Sequence, residues 1–110
     1  MLTLAGSVRI FLCSHPVDLR NGFEGLGGIV QSVFGESVTS GAYFVFLNRQ
    51  RDRTKVLYWD GDGLAIWYKR LEKGRFPKSH QEGFIMERRE FLMLLEGVTP
   101  KKLQKRFKMD

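Results

Sequence analysis

Four basic residues occur at every second position near the middle of the chain, namely Arg49, Arg51, Arg53 and Lys55. In an extended strand, residues two positions apart point to the same face, so Arg53 and Lys55 would share one. Arg49 and Arg51 fall in a predicted turn. Because a guanidinium group pairs in a bidentate way with phosphate oxygens, arginines on one surface can contact successive phosphates. The chemistry that this spacing indicates is the binding of an anionic polymer.

Aromatic residues follow these cations. Trp59 and Trp67 flank the turn-like sequence DGDG at 60–63, with Tyr58 and Tyr68 beside them. Aromatic rings next to cations can stack on unpaired bases, at about 1–3 kcal/mol per base. The alternative is that these rings belong to the core of a sheet whose other face is charged and solvated, and both interpretations stay open here. The candidate nucleic-acid-binding residues are Arg49, Arg51, Arg53, Lys55, Trp59, Trp67, Lys69, Arg70 and Arg75.

The positive charge of the chain is concentrated in two segments. The formal net charge is +6 over 110 residues. Residues 48–78 hold nine Lys or Arg against four Asp or Glu, and residues 101–110 hold five against one. Such a balance favours an anionic partner, with nucleic acid first and an acidic membrane surface second. No apolar run approaches the roughly 18 residues that a membrane-spanning helix needs, so we expect no membrane-spanning segment. Of the two anionic partners we expect nucleic acid and no membrane.

The remaining reactive residue types indicate little chemistry. A single cysteine, Cys13, allows no internal disulfide and no cysteine zinc site, and its apolar surroundings predict a core residue. His15 and His80 have no nucleophile at a spacing typical of a catalytic motif. Carboxylates could hold Mg²⁺ in a nuclease, but each lies in a predicted turn or near a cation: Asp18, Asp52, Asp60, Asp62 and Glu72. We therefore expect that the protein is not an enzyme and holds no metal and no cofactor. Nuclease activity is the third hypothesis, after two non-catalytic roles.

The hydrophobic pattern predicts one α+β domain at 1–100 followed by a basic tail at 101–110. Strands are expected at 8–13, 42–48, 53–60 and 64–71, with a short one at 84–86. Helices are expected at 21–34, with an Asn21/Glu24 capping box and a stop at Gly35, and at 87–96. The predicted fold is an antiparallel sheet of four to five strands, with a meander at 42–72 and two helices packed on one face. An N-terminus without a basic leader favours the cytoplasm.

Three segments of the chain resemble a known family. They are VRIFLCSHPVDLRNGFEGL at 8–26, FVFLNRQRDRTKVLYWDGDGLAIWYKRLEKGRFP at 44–77 and FLMLLEGV at 91–98. Together they are similar to the small TnpB-type accessory protein, the second open reading frame product, of insertion-sequence-66-type transposons. That family is distinct from the RNA-guided nuclease of the same name.

The resemblance implies a bacterial mobile-element protein that acts beside a separate, larger transposase and has no established catalytic residues. Combined with the basic surface, it predicts a non-catalytic accessory factor of transposition that binds DNA. The alternative is an adaptor that recruits or stabilises the transposase. The expected partners are DNA and the element-encoded transposase, and the oligomeric state stays open.

Overall fold

The computed structural model describes residues 7–77 and 85–96. The elements in chain order are β1 (Ile10–Leu12), α1 (Phe23–Ile29) continued by a π-helical turn (Val30–Phe34), β2 (Tyr43–Leu47), β3 (Arg53–Trp59), β4 (Leu64–Arg70) and α2 (Arg88–Glu96). The strands form one sheet in the order β1-β2-β3-β4. This arrangement confirms the predicted α+β class. No helix in the described residues is long and apolar enough to cross a membrane.

The sheet is mixed, not purely antiparallel. β2, β3 and β4 form the predicted antiparallel meander, with Phe44 opposite Leu57 and Val56 opposite Trp67. β1 runs parallel to β2, with Ile10 beside Tyr43. The prediction of a fully antiparallel sheet was therefore wrong. The reason is that α1 lies between β1 and β2, and a helical crossover returns the chain to the end of the sheet where it started.

The two helices cover opposite faces of the sheet, which corrects the prediction that both pack on one face. Residues that alternate along the strands divide into two separate core clusters. The cluster under α1 contains Phe11, Phe44, Phe46, Leu57, Leu26 and Val30. The cluster under α2 contains Ile10, Tyr43, Val45, Val56, Phe91 and Leu94. Every residue of β2 is buried. Its continuous apolar sequence YFVFL is what a strand covered on both faces requires.

The residues outside the main elements meet the predictions in part. Cys13 is buried, as predicted for a core residue. Within the predicted strand at 84–86, Ile85 makes a single antiparallel bridge with Phe11, and the Met86 amide donates to the Ile10 carbonyl at 2.8 Å. Phe84, His80 and the predicted basic tail at 101–110 lie outside the described residues.

The beginning of α1 differs from the predicted capping box. The N-cap residue is Gly22, without a side-chain capping bond. The Asn21 side chain does not cap the helix. Its Nδ2 donates to the carbonyl of Asp18, three residues earlier in the chain, at 2.9 Å. A Cβ atom on Gly25 would overlap the Asn21 side-chain oxygen, whereas one on Gly28 would meet nothing within 4 Å. Gly25 thus makes room for the Asn21 turn. The predicted stop at Gly35 is confirmed, with φ at 64°.

We expect opposite outcomes when these two helical glycines are replaced by alanine. Gly28→Ala should raise the free energy of unfolding by about 0.5–1 kcal/mol, because alanine is the better helix former. Gly25→Ala should raise the free energy of unfolding by less than this, or lower it, because the added methyl group displaces the Asn21 side chain from Asp18. Urea unfolding of both variants measures the difference. An equal gain in the two would contradict the role assigned to Gly25.

Candidate nucleic-acid interface

The turn between β2 and β3 is organised by the side chain of Asn48. Its Oδ1 accepts the amides of Asp52 and Arg53, at 3.1 and 3.0 Å. Its Nδ2 donates to the Asp52 carboxylate at 2.6 Å. The Arg51 amide in turn donates to the Asn48 carbonyl at 3.1 Å, which closes the turn. One amide side chain therefore fixes the backbone that presents Arg49 and Arg53.

Arg51 has a structural position within this turn. Its φ of 56° lies in the left-handed region that few non-glycine residues adopt. Its Nη1 donates to the Phe76 carbonyl at 3.2 Å, and the Phe76 amide donates back to the Arg51 carbonyl at 2.6 Å. Because Phe76 is 1% exposed, this exchange attaches the chain after β4 to the turn. The guanidinium of Arg51 is thereby engaged inside the protein.

Arg49 and Arg53 line a surface cleft of about 470 Å³. We call this the arginine cleft, and the residues that line it are Pro16, Val17, Asp18, Leu19, Arg20, Asn48, Arg49, Gln50, Arg53 and Tyr68. Strand alternation places Arg53 and Tyr68 on the face that α1 covers, since Leu57 and Ile66 of the same strands pack there. Both candidate arginines are exposed.

Two more candidate cations lie on the same face of the sheet. The register sets Arg70 opposite Arg53, and Arg70 is exposed, with Nη2 at 3.2 Å from the Glu72 carboxylate. Lys55 is half-buried. Its Nζ donates to the Asn21 carbonyl at 3.0 Å and lies 5.0 Å from the centre of the Tyr68 ring. Arg70 therefore extends the positive surface, while Lys55 connects β3 to the start of α1.

Trp67 and Lys69 lie on the opposite, α2-covered face. Trp67 packs against the core cluster under α2. The Lys69 Nζ donates to the Leu95 carbonyl at 2.8 Å. A cation at the C-terminal end of a helix stabilises it through the free carbonyls and the helix dipole. These two residues hold α2 to the sheet and do not join the arginine cleft.

The structure also separates Trp59 and Arg75 from the cleft. Trp59 is half-buried at the far end of β3, six residues from Arg53, which corresponds to about 20 Å along a strand. Arg75 is exposed in the segment after β4 and does not line the cleft. Of the nine candidate residues, the geometry brings Arg49 and Arg53 together, with Arg70 and Lys55 nearby.

Asp18 and Arg20 are cleft residues that the sequence reasoning did not select. Arg20 Nε and Nη2 donate hydrogen bonds to the Asp18 carboxylate at 2.6–3.0 Å. These hydrogen bonds, with a further one from the Arg20 amide, lower the pKa of Asp18 to about 2. The same contact raises the pKa of Arg20. Asp18 therefore stays ionised until the pH falls towards 2, and the pair carries no net charge at neutral pH.

Parallel pairing brings this loop to the cleft. The Val17 amide donates to the Leu47 carbonyl at 2.9 Å, which aligns the loop after β1 with the end of β2. The only local signal was the Asp18-x-Arg20 spacing. In total the cleft presents three guanidinium groups against one carboxylate. The described residues include no group of three or more His, Cys, Asp or Glu placed to hold a metal ion.

Loss of the Asn48 side chain should destabilise the turn. Asn48→Ala removes two acceptor contacts and one short donor contact, so the free energy of unfolding should fall by about 1.5–3 kcal/mol. Gln50→Ala is the matched control, because Gln50 is exposed and its side chain only meets Asn48 Nδ2 at 3.4 Å. It should change stability by less than about 0.5 kcal/mol. Thermal unfolding compares the two, and equal stability would contradict the organising role of Asn48.

Comparisons with known proteins connect the chain to mobile elements. A family profile described as IS66 Orf2 like protein matches residues 8–105. The uncharacterized protein y4jC of Sinorhizobium fredii (strain NBRC 101917 / NGR234) is 34% identical over 100 residues, which cover 89% of this chain and 86% of that protein. The uncharacterized protein y4hO of the same strain is 32% identical over 100 residues, which cover 89% and 87%. No solved structure matches the chain significantly.

The family match spans both loops that form the arginine cleft and both helices of the described fold. It confirms the resemblance seen in the sequence. It also indicates an accessory role associated with transposition. The chain belongs to the IS66 Orf2-like family.

Proposed function

We propose that this protein is a non-catalytic accessory factor of transposition that binds DNA through the arginine cleft. The observation that carries the proposal is that Arg49 and Arg53, both exposed, line one cleft beside the Asp18–Arg20 pair. Arginine is the residue best suited to phosphate, since its planar fork makes two parallel hydrogen bonds to the oxygens. Arg70, opposite Arg53 in the register, extends the same surface.

The DNA-binding surface is smaller than the basic segment of the sequence. Arg51 and Lys69 are bound to backbone carbonyls of Phe76 and Leu95. Their cationic groups stabilise the fold, and they contribute to DNA binding only through the general field of the protein. Arg49 and Arg53 are exposed and make the direct phosphate contacts. The excess charge elsewhere attracts DNA over a distance of about one Debye length, roughly 8–10 Å.

The carboxylates near the cleft have structural partners, which supports a role in binding and not in catalysis. A metal-dependent nuclease uses several carboxylates to hold Mg²⁺. Asp18 is bound to Arg20, Asp52 to Asn48, and Glu72 to Arg70. Breaking the Asp52 contact to hold a metal would disturb the Asn48-organised turn that presents Arg49 and Arg53.

Neutralising the two exposed cleft arginines should weaken DNA binding. At low salt we expect Arg49→Gln/Arg53→Gln to lower affinity by about tenfold or more, since a charged hydrogen bond contributes about 1.5–3 kcal/mol. The slope of log affinity against log salt should decrease by about two, one for each lost phosphate contact. Fluorescence anisotropy with a labelled transposon end and a random duplex measures both quantities.

The matched control is Lys73→Gln/Arg89→Gln, which removes the same charge from exposed positions that do not line the cleft. It should leave most of the affinity intact. Equal losses in the two double variants would mean that net charge alone drives binding. If the unchanged protein bound no DNA but captured the transposase, the adaptor would replace the DNA-binding proposal.

A further inference from the structure

We propose that the arginine cleft receives one unpaired nucleotide, with its base stacked on Tyr68 and its phosphate held by Arg49 and Arg53. This inference rests on the proposed DNA binding and specifies the form of DNA that the cleft takes. It assigns the stacking role to Tyr68, because Trp67 packs against the core cluster on the opposite, α2-covered face and Trp59 is about 20 Å along β3 from Arg53.

Tyr68 has the exposure that base stacking needs. It is 51% exposed and lines the same cleft as the arginines. The other tyrosines of the sheet, Tyr58 and Tyr43, have a different environment. Those two tyrosines are 6% and 5% exposed and meet edge to face at 5.4 Å. Tyr68 is thus the accessible ring of the sheet next to the arginines.

The Tyr68 ring is held in place before any ligand arrives. Lys55 Nζ lies 5.0 Å from the ring centre and donates to the Asn21 carbonyl at 3.0 Å. A cation over an aromatic face is attracted by the ring quadrupole. Because the lysine is itself fixed to the start of α1, the ring loses less freedom when a base stacks on it. Preorganisation of this kind improves affinity by lowering the cost of ordering.

The size of the cleft is compatible with a single nucleotide. Its volume of about 470 Å³ falls within the range of about 300–1,000 Å³ typical of small-ligand sites. Inside a duplex both faces of a base are covered by its neighbours, so an internal base must leave the stack before it can meet a protein ring. Unpaired strands and frayed ends present open base faces at no such cost. The cleft should therefore prefer them to blunt duplex.

The test compares three labelled DNAs of one sequence by fluorescence anisotropy: a single strand, a blunt duplex and a duplex with a single-stranded overhang. The unchanged protein should bind the single strand and the overhang more tightly than the blunt duplex. Tyr68→Ala and Tyr68→Leu should each lower affinity for the two unpaired substrates by about 5- to 150-fold, the equivalent of one stacked base. Their affinity for blunt duplex should change by less than about twofold, given that phosphate contacts dominate there.

Two control variants separate stacking from a general structural effect. Tyr68→Phe keeps the ring and should retain the preference for unpaired DNA. Phe23→Ala removes another exposed ring, 49% exposed on α1 and outside the cleft lining, and should leave binding unchanged. Tyr68→Leu preserves an apolar strand residue if the alanine variant does not fold, and thermal unfolding confirms the fold of each variant.

The outcomes distinguish this inference from the proposed function. Binding to all three DNAs that depends on Arg49 and Arg53 but not on the Tyr68 ring would overturn the nucleotide site and leave DNA binding standing. Equal losses on duplex and single strand in Tyr68→Leu would also overturn it. Failure of the unchanged protein to bind any of the three DNAs would overturn the proposed function itself.

Discussion

Parallel pairing between β1 and β2 determines where the arginine-bearing loops meet. Two neighbouring parallel strands terminate at the same end of a sheet, so the loop after β1 and the turn after β2 emerge side by side. The bond from the Val17 amide to the Leu47 carbonyl fixes this alignment. Arg20 is thereby placed beside Arg49 and Arg53, although about thirty residues separate them in the chain. In an all-antiparallel sheet the loop after β1 would emerge at the opposite end of the sheet, away from the turn after β2, and the two would form no cleft.

The protein uses its cations in two ways. Three cations donate to backbone carbonyls: Arg51 attaches the segment after β4 to the turn, Lys55 connects β3 to the start of α1, and Lys69 connects β4 to α2. Arg49 and Arg53 stay exposed on a turn that Asn48 has already fixed. Their exposure leaves Arg49 and Arg53 accessible for the proposed phosphate contacts. The segment at 48–78 therefore contains more cations than are accessible for the proposed DNA contacts.

Strand and turn positions followed from the sequence because they depend on local patterns. The strands at 53–60 and 64–71 and the DGDG turn between them were predicted, and the Asp60 amide does donate to the Gly63 carbonyl at 2.8 Å. The parallel β1–β2 pair and the placement of α2 depend on long-range packing, which local periodicity does not encode. The unbroken apolar run of β2 did carry a signal for two covered faces. The role of Asn21 was missed because its side chain bonds backwards to Asp18 and not forwards into the helix.

We propose that DNA contacts the arginine cleft on the α1-covered face of the sheet. The most direct test is a nitrogen–proton NMR titration of the labelled protein with a short oligonucleotide, which follows backbone amides and arginine Nε groups together. If DNA contacts this cleft, the largest shifts should fall at 17–20, at 48–53 and at Tyr68, with the Nε signals of Arg49 and Arg53 among them. Shifts centred on Trp67, Lys69 and α2, with the cleft signals unmoved, would contradict it.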